Sequence, residues 1–90
     1  MPLVQFTSNL KRFYPSLKET EIEAKTIDEL IDQVNDHYPG LKNYLTDDQK
    51  SLRHHVNIFI NGSMIKDRRK LKDEIQKNDQ VYIMQALSGG

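Results

Sequence analysis

The alternation and clustering of apolar positions along this chain predict six regular elements. Residues 2–6, Pro-Leu-Val-Gln-Phe, are short and apolar and predict a strand. Residues 7–18 carry Ser8, Asn9 and Pro15 among scattered charges and read as a turn-rich connection. Residues 19–24 place small or apolar side chains at alternate positions, the pattern of a strand with one wet face. The two strands pair most simply as an antiparallel hairpin. Thr26-Ile27-Asp28-Glu29 then forms a capping box, with Thr26 capping backbone N–H groups and Glu29 reaching back. Ile27, Leu30, Ile31 and Val34 follow at helical spacing as one apolar stripe, with Asp28, Asp32 and Asp36 on the other side. Tyr38-Pro39-Gly40 ends that helix, because proline and glycine do not continue it comfortably.

Residues 41–53 are polar, with Leu41, Tyr44, Leu45 and Leu52 as anchors, and predict a short helical turn plus loop. His55-Val56-Asn57-Ile58-Phe59-Ile60 is a strand with Val56, Ile58 and Ile60 on one face. Asn61-Gly62 is a hairpin turn, since both residues tolerate positive φ, and Met64-Ile65 is a short return strand. After an irregular stretch anchored by Leu71 and Ile75, residues 81–85 form the last strand. The order is strand, strand, helix, strand, short strand, strand. A helix crossing over a mixed sheet buries its stripe on one face, and a right-handed crossover lets the first and last strands pair in parallel at the centre. That arrangement is an α+β, β-grasp (ubiquitin-like) domain over residues 1–85, with a mixed four- to five-stranded sheet and one main helix. Residues 86–90, Ala-Leu-Ser-Gly-Gly, read as a flexible tail.

Composition narrows the function classes. Ninety residues suffice for one core, with little room for a deep cofactor cavity. Thirteen Lys+Arg balance thirteen Asp+Glu, which argues against bulk nucleic-acid binding, a process driven by excess cationic charge. The absence of cysteine excludes disulfides, thiolate metal sites and a Cys nucleophile. No apolar run approaches the ~20 residues that span a bilayer, and the N-terminus lacks a signal-peptide core, so no membrane partner is expected and the expected location is cytoplasmic.

Few residues carry candidate chemistry. Gly89-Gly90 directly follows the last strand; it reads either as a dispensable end or as a tail without Cβ atoms that can enter a narrow enzyme channel. His54-His55 on a strand would face opposite ways, so the two could not readily chelate one ion. Residues 66–72 form a basic run, and residues 19–36 are strongly acidic; these read as a solvated dipolar surface or as partner steering. Asp28, Glu29 and Asp32 fit helix-start electrostatics rather than an acid/base pair.

Val56-Asn57-Ile58-Phe59-Ile60-Asn61, then Lys77-Asn78-Asp79-Gln80-Val81-Tyr82-Ile83, then Ala86-Leu87-Ser88-Gly89-Gly90 resemble the MoaD/ThiS family of ubiquitin-like sulfur carriers. The resemblance implies a carrier rather than a catalyst, with no tightly bound cofactor. An E1-like adenylating enzyme would use Mg-ATP to activate the Gly90 carboxylate, with Gly89 as its access residue. A sulfur donor would then form a thiocarboxylate for a sulfur-accepting biosynthetic enzyme. The long 39–55 connection, ending in Arg53-His54-His55, looks more like the cysteine-forming carriers than the compact molybdopterin ones. A lysine-conjugated protein modifier, a non-catalytic subunit of molybdopterin synthase and a plain interaction domain remain alternatives. With Val56, Ile58, Ile60, Val81 and Ile83 facing the helix, Phe59, Tyr82 and Met84 share the open face. Together with Leu87 they are the expected docking surface for the activating enzyme.

Overall fold

The computed structural model describes residues 1–85. The elements run β1 (Leu3–Phe6), α1 (Ser8–Lys11), β2 (Thr20–Glu21), α2 (Ile27–His37), α3 (Leu41–Leu45), β3 (Val56–Ile60), β4 (Ser63–Met64) and β5 (Gln80–Gln85). One five-stranded sheet has the order β2-β1-β5-β3-β4. β1 and β5 pair in parallel at its centre, and the other pairs are antiparallel. This is the expected β-grasp topology.

The core lies between one sheet face and α2. Val4, Val56, Ile58, Val81 and Ile83 are wholly buried, and α2 answers them with Ile27, Leu30, Ile31 and Val34. Each such side chain is worth about 1.5–3 kcal/mol when withdrawn from water. Ile60 is only partly buried at the sheet's end, though it packs against the same cluster. Thr26 caps α2 as its sequence position implies, accepting from the Glu29 N–H at 3.3 Å. Glu29 reaches back one residue further than a capping box requires, to the Lys25 N–H. The hairpin at Asn61-Gly62 has φ of 50° and 87°, the double left-handed geometry of a type I′ turn.

Three expectations require correction. Residues 7–18 are not merely a connection: α1 lies within them and sends Leu10 into the core, with Leu17 buried beyond it. A single helical turn is too short to leave a periodic pattern. The strand expected over 19–24 shrinks to Thr20–Glu21, although Ile22 adds one bond to the Pro2 carbonyl and both Ile22 and Ala24 are buried. His54 and His55 lie in the turn before β3 rather than on a strand, with ring centroids 5.4 Å apart. Among the described residues, no three His, Asp or Glu side chains gather as a metal-binding group.

The 41–53 region folds as the expected short helix plus loop, but Tyr44 is not one of its anchors. Leu41 and Leu45 of α3 are fully buried and Leu52 nearly so, while Tyr44 stays at the surface, stacked on Phe13. No helix of the described residues is long and apolar enough to cross a membrane.

Candidate functional site

The root of the C-terminal segment is held on every side. β5 lies between β1 and β3, so its backbone is paired along both edges. At its end the Gln85 N–H donates to Thr7 Oγ1 at 3.1 Å, and Asn9 Nδ2 donates to the Gln85 carbonyl at 2.8 Å. The Thr7 N–H donates to the Ile83 carbonyl at 3.1 Å. Thr7 precedes α1 without capping it, because its hydroxyl serves β5 instead. The β1–α1 junction therefore clamps the last described residue. Gln85 Oε1 is buried there without a hydrogen-bond partner among the described residues. Leu87, Gly89 and Gly90 lie outside the described residues.

The open face beside that root carries the expected side chains. Tyr82 stands directly opposite Phe59, which in turn stands opposite Met64 of β4. On the other side Tyr82 neighbours Gln5 of β1, so the four residues form one row across four strands. Met84 faces Asn57, one step nearer the β5 terminus and diagonal to Phe59. Phe59 and Met84 are half-buried by their neighbours, while Tyr82 and Met64 keep 38% and 51% of their surface exposed. Cross-strand packing accounts for part of this row, but it leaves a wet apolar strip whose centre is aromatic.

Polar groups frame the strip. Arg68 donates from Nη1 to Asn57 Oδ1 at 2.7 Å and from Nη2 to the Arg53 carbonyl at 2.8 Å, fixing a guanidinium at the β3 side. At the β1 side, Gln5 Nε2 donates to Glu19 Oε1 at 2.8 Å. A shallow depression of about 210 Å³ opens there, lined by Gln5, Phe6, Lys11, Glu19 and Tyr82. Sequence reasoning missed Met64, although the two-residue turn fixes its register opposite Phe59. It also missed Thr7 and Asn9, whose role depends on a partner more than seventy residues away, and Arg68, whose Asn57 contact crosses a loop.

A model of the ThiS family matches residues 4–90. No curated protein matches the chain in sequence. Among solved structures, a chain of the Amycolatopsis orientalis BexX/CysO complex superposes with a TM-score of 0.85 at 24% identity, covering 100% of both chains. Mycobacterium tuberculosis CysO gives 0.82 at 22% identity, over 97% of this chain and 100% of that one. Small archaeal modifier protein 1 from Methanosarcina acetivorans gives 0.78 at 26% identity, over 99% and 95%.

Proposed function

The chain belongs to the ThiS family of ubiquitin-like sulfur carriers, and on that premise we propose that its acting group is the Gly90 carboxylate, presented on a tail rooted in the centre of the sheet. The observation that carries this reading is the clamp on Gln85, which turns the start of a five-residue tail into a fixed point beside an apolar strip. The family match also runs through the terminal Gly89-Gly90 pair.

The chemistry follows from the poor electrophilicity of an α-carboxylate, which is ionised at neutral pH. An E1-like enzyme using Mg-ATP joins the carboxylate to AMP and releases pyrophosphate. Hydrosulfide, or sulfur delivered by a donor at the same oxidation level, attacks the acyl carbon and displaces AMP, leaving a thiocarboxylate. Transfer of that sulfur to a biosynthetic acceptor, followed by hydrolysis, restores the carboxylate. The protein contributes position rather than catalysis. Phe59, Tyr82 and Met84, extended by Met64, form the docking strip for the activating enzyme, and Leu87 and Gly89 guide the end into its nucleotide site. Cysteine formation is the favoured destination of the sulfur, by likeness to the CysO structures.

The test is intact mass after incubation with the E1-like enzyme of the same organism, Mg-ATP and a sulfur donor. The expected change is exchange of one oxygen for one sulfur, absent when Gly90 is deleted, while the melting temperature stays the same. A lysine-linked covalent ladder without the sulfur-bearing species would favour the modifier reading.

A further inference from the structure

The basic run at 66–72 has a structural role that family membership does not account for. Two carboxylate-centred turns face each other beside the start of α2. In one, Asp47 Oδ1 accepts the Gln49 and Ser51 N–H groups. In the other, Asp67 accepts the Arg69, Lys70 and Lys72 N–H groups, while Asp73 accepts those of Lys66 and Asp67. The turns are joined by Ser51 Oγ donating to the Arg69 carbonyl at 3.1 Å and the Leu52 N–H donating to the Arg68 carbonyl at 2.8 Å. Between them lies a cleft of about 230 Å³, lined by Asp28, Gln49, Lys50, Arg69, Lys70 and Lys72.

The charge arrangement is unusual for a protein of zero net charge. Asp47 and Asp67 sit within these two turns with their oxygens hydrogen-bonded to backbone N–H groups, and neither forms a salt bridge among the described residues, although the Lys70 charge also favours the Asp67 carboxylate. The one carboxylate lining the cleft, Asp28, pairs with Lys72 at 3.0 Å. Lys50, Arg69 and Lys70 form no salt bridge among the described residues. Lys50 also adopts a left-handed φ of 65°, a conformation unfavourable for a lysine that the Asp47 turn maintains. The cleft lining itself carries four cations and one carboxylate, while the Asp47, Asp67 and Asp73 carboxylates are turned to backbone N–H groups.

We propose that this cleft binds a compact phosphate-bearing small molecule, with Lys50, Arg69 and Lys70 contacting its oxygens. Arg supplies a planar fork suited to phosphate, and Lys a point charge. The acidic face of α2, with Asp28 on the rim and Asp32 beyond, disfavours a long polyanion or a flat anionic membrane. Neither turn contains an aromatic side chain on which a nucleic-acid base could stack.

Amide chemical shifts of the isotopically labelled chain, titrated with inorganic pyrophosphate at low salt and at about 0.15 M KCl, test this. The expected result is saturable shifts confined to residues 47–52 and 67–73, persisting at the higher salt. Arg69→Gln with Lys70→Gln weakens binding at least tenfold, and Lys50→Gln alone weakens it measurably, so the test survives poor folding of the double variant. Lys18→Gln, outside the cleft lining, leaves binding unchanged. Scattered, unsaturable shifts that vanish with salt overturn the proposal. So does equal weakening by Lys18→Gln. Capture of the chain by phosphoinositide vesicles or a single-stranded oligonucleotide, without a pyrophosphate response, overturns it in favour of a macromolecular anion.

Discussion

Ile58→Ala removes side-chain volume from the middle of β3, where Ile58 has no exposed surface and faces the equally buried Ile83 of β5. The change deletes roughly three methylene equivalents, a transfer loss of about 2.4 kcal/mol at ~0.8 kcal/mol each. β3 is hydrogen-bonded on both edges and α2 covers the layer, so the surroundings cannot collapse far into the gap. The cavity term then brings the total to about 3–4 kcal/mol, inside the ~2–5 kcal/mol seen for such truncations. A domain of this length has roughly 5–13 kcal/mol of stability in all. The melting temperature should therefore fall by about 12–32 °C, at ~4–8 °C per kcal/mol. Urea unfolding followed by circular dichroism measures the loss directly, and the denaturant slope should not change, because the same surface is exposed on unfolding. Below its melting temperature the variant should still be activated by the E1-like enzyme, because Ile58 faces α2 and not the open strip. A loss under about 1 kcal/mol with an unchanged slope would show that Ile58 is not in a close-packed layer, and would refute the reasoning.

Phe59→Ala and Met84→Asp should each slow activation under limiting carrier while leaving the fold intact; normal rates for both would remove the open face as the docking surface. Gly40→Ala should destabilise by about 1–2 kcal/mol, since Gly40 has φ of 94° and a Cβ there would lie 2.8 Å from Tyr14 Oη; an unchanged melting temperature would contradict it. The Lys70 N–H, followed by those of Lys72 and Arg69, holds the Asp67 carboxyl below its usual range, against opposing desolvation. A depressed folded-state pKa means that Asp67 stabilises the fold above the usual carboxylate range and loses this effect as pH falls through its folded value. Asp67→Asn should therefore flatten the acid limb of the stability–pH profile, and an unaltered limb would count against these bonds.

The elements that were legible in the sequence have strong local signals. The stripe of Ile27, Leu30, Ile31 and Val34, capped by Thr26, needs only its own turn geometry to be recognised, and Asn61-Gly62 fixes both its turn and the hairpin register. That register places Phe59 opposite Met64, while alternation along β3 and β5 puts Phe59, Tyr82 and Met84 on the open face, so these three followed from strand alternation and Met64 did not. What was not legible depends on partners distant in sequence. Leu10 is an isolated apolar residue until the fold brings it under the sheet, and Thr7 gives no sign that its hydroxyl will receive the Gln85 N–H. The Asn61 side chain likewise does more than permit a turn: it accepts the Gln80 N–H and donates to Asp79, joining the hairpin to the start of β5. The basic run illustrates the same limit, because only the folded loop shows Asp67 and Asp73 turned toward backbone N–H groups.

The fold separates the groups that stabilise it from those assigned to transfer, and the register of β5 links the two. Val81 and Ile83 fasten β5 to the core, while Tyr82 and Met84 on the same strand face the open side. A partner that grips Tyr82 and Met84 therefore grips the strand that ends at the clamped Gln85, with no flexible joint between them. Five residues beyond that point reach at most about 17 Å. If the strip docks the activating enzyme as proposed, that enzyme's nucleotide site would lie within this reach of Gln85, and shortening or lengthening the segment would displace the carboxylate without weakening the contact. Association strength would thus rest with the strip, and the efficiency of activation with the tail. Rooting the segment in the centre of the sheet rather than on an edge strand keeps its starting point fixed, because neither side of β5 can fray without breaking pairs to β1 or β3.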